Sequence, residues 1–151
     1  MEGTLRFVNV FAAAISAGTF LAVQAAVVPT VRLLPAKAGH LFHLRFDPKV
    51  DRFNPPLVGV AALTGFALLA VDWGDRAATA LVAAGLIGSA VTGRVSALVN
   101  MPINHAVARW SNAEVDETEW RRLRVRWNRF HLIRTIAALF ALGCYLAAVL
   151  A

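Results

Sequence analysis

An all-α integral membrane four-helix bundle, with both termini outside and the third and fourth helices extended into the cytoplasm, is the fold class this sequence predicts. Three observations predict it. Only 16% of the 151 residues are charged, against about a quarter in a typical soluble domain. Four stretches hold no Asp, Glu, Lys or Arg: Phe7 to Val31, Phe53 to Val71, Ala77 to Gly93, and Thr135 to Ala151. Each has 17 to 25 residues, enough for a helix to cross roughly 30 Å of hydrocarbon. Finally, of the fifteen Lys and Arg residues, only Arg6 and Arg76 fall beside the termini or the second loop. The other thirteen lie in or next to loops one and three, which the positive-inside rule places in the cytoplasm.

The expected organisation is a single transmembrane domain over residues 1–151. Its helices run over about 7–31, 54–72, 77–99 and 130–150, with cytoplasmic loops at 32–53 and 100–129. The net charge of +6 is then used for orientation in a lipid bilayer and not for nucleic acid, and the protein belongs in the plasma (inner) membrane as a multi-pass chain. The excess of Arg over Lys and the abundant Ala point to a bacterial, GC-rich source.

In helix one, "LAVQAA" offers small residues of the kind a signal peptidase accepts, yet the apolar run continues to Val31 and basic residues follow it. Retention as a membrane helix is expected. Asn9, Ala12, Ser16 and Thr19 share one face of this helix, the usual composition of a helix contact in lipid. In loop one, "FDPK" predicts a surface helix with Asp47 as N-cap and Pro48 at its first position. Pro55 and Pro56 would open helix two. "DWGDR" is a short outer loop, so helices two and three are antiparallel neighbours, with Trp73 at interface depth. Gly85, Ser89 and Gly93, with Gly88, Thr92 and Ser96 beside them, form a second small-residue face. Such faces pack within one bundle or between two copies, so a homo-oligomer stays open. The lone Cys144 lies in the last apolar run, where it packs and cannot form an intramolecular disulfide.

Loop three has few turn residues, so helix three should continue below the membrane, bent near Pro102. Ser111 and Asn112 would turn the chain, and the final helix would begin near Glu114 to Glu119, whose acids suit a helix N-terminus.

That final helix carries "RVRWNRFHLIRT", residues 124 to 135, where its apolar segment begins. Trp120, Arg124, Trp127, His131 and Arg134 are spaced four, three, four and three, which puts them on one face. A seam with this spacing ordinarily holds Leu and Ile. Here it holds cations, indoles and an imidazole, while Arg121, Arg122, Arg126 and Arg129 lie off the line and can reach lipid phosphates. Helix three supplies Asn100 and Asn104 on one face, then His105, with Arg94 within the apolar span. An arginine at that depth must snorkel, pair or line a cavity. Two readings stay open on spacing alone: interfacial Trp and Arg anchors with Asn gluing helices, or a ligand site. His40 and His43, in "HLFH", could share a metal, but their apolar neighbours suit an interfacial helix as well.

At these residues the chain resembles the anthrone oxygenase-like membrane proteins, whose pattern is Asn-x-Pro-x-Asn, spaced tryptophans, then Arg-x-x-Trp-x-x-x-His-x-x-Arg. Here stand "NMPIN" at 100 to 104, Trp110, Trp120, and Arg124, Trp127, His131 and Arg134, with "SAGTF" and "RFNPPL" upstream also similar. The resemblance implies a four-helix membrane fold and, for the characterised branch, oxidation of anthrones to anthraquinones with dioxygen. The residue types are compatible with a cofactor-independent oxygenase. His131 would be the general base. Arg124, Arg134 and Arg94 would stabilise an oxyanion. Asn100, Asn104 and His105 would be polar contacts, and Trp110, Trp120 and Trp127 flat faces for an apolar aromatic or quinone-like molecule. Two rivals remain: a redox protein whose His105, His131 and loop histidines ligate haem or copper, and a non-catalytic membrane subunit or lipid-binding scaffold.

Overall fold

The structure is a computed structural model that describes residues 2–110 and 115–151. The described chain is helical apart from short connections, and it makes four long rods. The first comprises α1 (Glu2–Ala22), a π-helical turn (Val23–Val27) and α2 (Val28–Arg32); the second is α3 (Ala36–Val71). The third comprises α4 (Arg76–Val95), a second π-helical turn (Ser96–Asn100) and α5 (Met101–Ala108); the fourth is α6 (Glu117–Leu150). All four are long and apolar enough to cross a membrane.

Short connections at 33–35 and 72–75 make neighbouring rods antiparallel. The closely packed pairs are α1 with α3, α3 with α4, α4 with α6 and α6 with α1, so the rods surround one axis in chain order. Large apolar side chains such as Phe7, Leu63, Phe66, Ile87, Leu98 and Phe140 stay exposed on the outside. That is a surface built for lipid, since water would not tolerate so continuous an apolar coat.

The axis is packed by small residues, as the stripes predict. Asn9, Ala12 and Ser16 are buried on α1, and Gly85, Gly88, Ser89 and Thr92 on α4. A Cβ at Gly88 would stand 2.8 Å from the Ala137 carbonyl oxygen, so only glycine lets α4 and α6 approach this closely. Thr19, half-buried, bonds its own helix through the Ile15 carbonyl, and Gly93 faces open space.

At the end that holds both termini, Arg6 Nη2 donates to Asp72 Oδ1 at 2.6 Å and Nη1 to the Ala148 carbonyl at 3.2 Å. One guanidinium thus ties α1, the end of α3 and the end of α6. Asp75 caps α4 through the Ala77 and Ala78 amides, and Asp116 caps α6 through those of Thr118 and Glu119. The start of α6 falls within the expected range. The turn assigned to Ser111 and Asn112 lies outside the described residues.

Loop one differs from expectation. There is no separate surface helix capped by Asp47: α3 starts at Ala36 behind Pro35 and runs unbroken through Pro48, Pro55 and Pro56. The reason is packing. Ala36, Gly39, His40, His43 and Asn54 form a continuous buried face, whose contacts outweigh the helix bonds lost at each proline. Helix three continues past Pro102 as expected, by way of the π-helical turn. Both π-helical turns precede a proline, Pro29 or Pro102. Widening the helix there relieves the clash between the ring and the carbonyl four residues earlier.

Candidate functional site

The polar face of α6 turns into the bundle: Trp120, Trp127, His131 and Arg134 are all buried. Their rings and guanidiniums form a layered column. The Arg124 guanidinium carbon lies 4.3 Å from the Trp127 ring centre and 5.5 Å from that of Trp120. The His131 imidazole stacks on Trp127 at 4.6 Å, 12° from parallel. Arg134 lies 4.7 Å over the Phe20 ring. Cations on aromatic faces offset part of the cost of burying charge.

The hydrogen bonds set the protonation pattern of His131. Arg134 Nε donates to His131 Nδ1 at 2.9 Å, and a guanidinium can only donate, so Nδ1 is the bare lone pair. Nε2 then carries the proton and donates to the Phe20 carbonyl at 3.2 Å. His131 is a neutral imidazole whose basic nitrogen is covered by Arg134. Arg134 also donates through Nη1 to Ser96 Oγ at 3.2 Å.

Asn100 and Asn104 both reach Trp127. Asn100 Nδ2 donates to the Trp127 carbonyl at 3.1 Å, and Trp127 Nε1 donates to Asn104 Oδ1 at 2.7 Å. Asn104 Nδ2 in turn donates to Asp51 Oδ2 at 3.0 Å. Asp47 and Asp51 line, with His131 and Arg134, a void of about 10 Å³, the size of a single water. His43 Nδ1 lies 2.8 Å from Asp47 Oδ2 and 3.3 Å from Arg124 Nη1. Asp47 Oδ2 has no hydrogen-bond partner among the described residues, and a guanidinium can only donate, so Nδ1 is the acceptor of the Arg124 bond and Asp47 an ionic neighbour.

Beside this column, between the π-turn and α2 on one side and α6 on the other, opens a cavity of about 500 Å³. Val28, Val31, Ala36, Leu132 and Trp120 give it an apolar wall, and Gln24, Asn128 and four arginines (Arg32, Arg121, Arg124 and Arg129) its polar one. Its volume falls in the roughly 300–1,000 Å³ range of small-molecule sites. Three buried polar atoms on its lining residues have no hydrogen-bond partner among the described residues: Gln24 Oε1, Arg124 Nε and Asn128 Oδ1. Each such atom costs about 1–3 kcal/mol unless something satisfies it. The cavity thus has an apolar wall and a basic rim, with these three polar atoms and the buried Trp120 ring lying just behind its surface.

The other predicted residues stand elsewhere. Of the predicted site residues only Trp120 and Arg124 line the cavity; Asn100, Asn104, Trp127, His131 and Arg134 belong to the column behind its wall, and Arg94 on α4 and His105 on α5 are exposed. Trp110 is half-buried with its ring 6.1 Å from His40. His40 is fully buried, its Nε2 3.0 Å from the Val107 carbonyl, and so pins α3 to α5. Among the described residues no three His, Cys, Asp or Glu side chains come together as a metal-holding group.

The sequence reading missed Asp51, Gln24 and Asn128, and it read two further residues in other roles, His43 as able to share a metal with His40 and Asp47 as an N-cap. His43, Asp47 and Asp51 are four apart and share one face of α3; taking Asp47 as an N-cap broke that register. Gln24 is the one amide in its apolar run apart from Asn9, and Asn128 stands inside the opening stretch of α6, where the arginines obscured it.

Comparison with known proteins adds one match: the model of the family described as anthrone oxygenase matches residues 42–144. That range contains the α6 column, Asn100, Asn104 and the His43–Asp47–Asp51 face. No curated protein and no solved structure matches the chain.

Proposed function

Because the chain belongs to the anthrone oxygenase family, we propose that it is a membrane oxidoreductase, a cofactor-independent oxygenase that takes an apolar aromatic or quinone-like molecule from the bilayer into the cavity between α2 and α6. The observation that carries this reading is the cavity itself. It pairs an apolar wall ending in Trp120 with three unpartnered buried polar atoms, next to the Arg124–Trp127–His131 column. The basic end of the bundle faces the cytoplasm of a bacterial plasma membrane, following the charge asymmetry.

For an anthrone the reaction turns a ring methylene into a carbonyl. The carbon loses two hydrogens and gains one oxygen atom from dioxygen; the other oxygen leaves with both hydrogens as water. Carbon is oxidised by four electrons and dioxygen reduced by four. The first step removes a methylene proton and leaves negative charge on the ring oxygen. Arg124, at the cavity wall, supplies a positive charge that stabilises that oxyanion in a low-dielectric site. Arg134 supplies a second positive charge from within the column. His131 faces the small void behind the cavity wall and does not line the cavity itself; as base in this scheme it accepts a proton at Nδ1 once Arg134 turns toward Asp47 and Asp51 and a water in that void relays the proton.

One observation favours a second assignment of the base. His43 Nδ1 lies 2.8 Å from Asp47 Oδ2, a carboxylate within reach to take up a proton, and it touches Arg124.

The test is turnover of anthrone by the full chain in detergent, followed by oxygen uptake and anthraquinone absorbance. We expect one dioxygen per anthrone and a loss of about 10²–10³ in kcat for Arg124→Gln. The exposed Arg126→Gln serves as the control. Anthraquinone formation no faster than in empty micelles would end the oxygenase reading. Retention of phospholipid alone in native mass spectrometry would favour a lipid-binding scaffold.

A further inference from the structure

One proton of the proposed oxidation needs a resting place between two steps. It leaves carbon at the start and is needed again only after dioxygen has added. His131 is a poor place to hold it meanwhile. Arg134 Nε stands 2.9 Å from Nδ1, and Arg124 lies over the Trp127 ring on which His131 stacks. An imidazolium there would be a third cation in surroundings that screen charge poorly. The void that His131 and Arg134 line is also lined by two carboxylates, Asp47 and Asp51, one turn apart on α3. Like charges at that spacing repel, and among the described residues no ion pair joins either of them to Arg134. The void of about 10 Å³ takes one water, for which these groups and Asn104 are polar partners. Asp51 is the freer carboxylate. Its Oδ2 accepts from Asn104 at 3.0 Å, while its Oδ1 has no hydrogen bond among the described residues. Asp47 Oδ2 instead lies 2.8 Å from His43. Asp51 is half-buried and His131 fully enclosed. The charged and titratable groups around Asp51 are Asp47 and His43 on its own helix, and Arg134 and His131 on α6; the first rod brings only Phe20 and Val23.

From this placement we infer that Asp51 stores the proton that leaves the substrate carbon, acting through His131 and the water between them. The inference rests on the oxygenase reading and adds to it a residue that touches no substrate. In the first step the C–H bond breaks, and its electron pair stays on the ring as the enolate. The proton goes to His131 Nδ1 and on through the water to Asp51, so the imidazole returns to neutral and the carboxylate becomes a neutral acid. The enolate then reduces dioxygen and a C–O bond forms. The peroxide anion takes the stored proton back by the same route. Loss of the second C–H proton forms the carbonyl and breaks the O–O bond, and the departing hydroxide takes that proton to become water. No proton is gained or lost over the cycle, as one dioxygen in and one water out requires. The stored state sets a neutral acid beside Arg134 in place of a further cation.

The experiment stops the reaction after its first step. The full chain in a neutral detergent receives anthrone with dioxygen excluded; visible absorbance follows the enolate and infrared difference spectroscopy follows the proton. We expect enolate together with the carbonyl band of a protonated carboxylic acid. The band should shift in frequency in Asp51→Glu, which keeps the carboxyl, and persist in Asp47→Asn. In Asp51→Asn the band should vanish and the enolate yield fall. Added formate, small enough to reach a half-buried site, should then restore the enolate by taking the proton itself, an answer that a structural defect would not give. With dioxygen present, Asp51→Asn should lower kcat about 10²-fold at an unchanged KM, because Asp51 does not line the cavity. Enolate without a carboxyl band, a band that survives Asp51→Asn, or a loss that formate leaves untouched overturns the inference and leaves the oxygenase reading standing. If Asp51→Asn does not fold, Asp51→Glu decides, and an unshifted band overturns the inference. Neither enolate nor turnover in the unaltered chain defeats both this inference and the oxygenase reading.

Discussion

Replacing Asn104 by Leu tests whether the α6 column is held from α5. The side chains have similar volume, so packing is nearly conserved, but two hydrogen bonds disappear: Trp127 Nε1 loses its acceptor at 2.7 Å and Asp51 loses its donor at 3.0 Å. Trp127 is buried, so its N–H is left unsatisfied at a cost of about 1–3 kcal/mol. Asp51 is only half-buried and recovers part of its loss by hydration, so its share is the smaller. The expected total is about 2–4 kcal/mol. The assay is reversible unfolding in mixed micelles, run as a double-mutant cycle with Trp127→Phe, which removes the same N–H from the other side. If the bond is real, the two losses overlap and the coupling is about 1 kcal/mol. Strict additivity would refute the reasoning, because the residues would then be stabilising the bundle separately.

Three further outcomes follow from the same geometry. Gly39→Ala places a Cβ 2.8 Å from the Trp120 ring. It should cost about 1–3 kcal/mol and weaken binding in the cavity that Trp120 lines, as unfolding and dialysis would read. His131→Phe keeps a ring against Trp127 but removes the acceptor of Arg134. Anthrone turnover should fall about 10²–10⁴-fold while anthrone binding persists; unchanged turnover would transfer the base to His43. Asp72→Asn weakens the clamp on Arg6 at the end that holds the termini. It should lower stability by about 2–3 kcal/mol, near the buried-pair range, with anthrone affinity unchanged because the cavity lies at the other end of the bundle.

Four spans, the small-residue stripes on α1 and α4, the continuation of helix three past Pro102 and the shared face of the five spaced residues on α6 were all legible in the sequence. In lipid a helix must satisfy its own backbone, so length and composition suffice to find one. The five spaced residues on α6 were legible for a related reason: their periodicity is a property of a single helix. Loop one failed because two local signals, the N-cap of "FDPK" and the paired prolines, argued for breaks that packing overrode. With the breaks went the His43–Asp47–Asp51 register.

The contrast between two arginines marks the division. By itself the sequence determined that Arg94 and Arg134 both sit within helices of an apolar bundle. Only the tertiary structure decided that Arg134 turns inward, onto His131 and Phe20, while Arg94 faces out. The same holds for Gln24 and Asn128, which meet at one cavity from two different rods. Lipid is as apolar as the side chains it surrounds, so hydrophobicity does not tell one face of such a helix from another. Close packing and interhelical hydrogen bonds make that choice, and both exist only once the rods have come together.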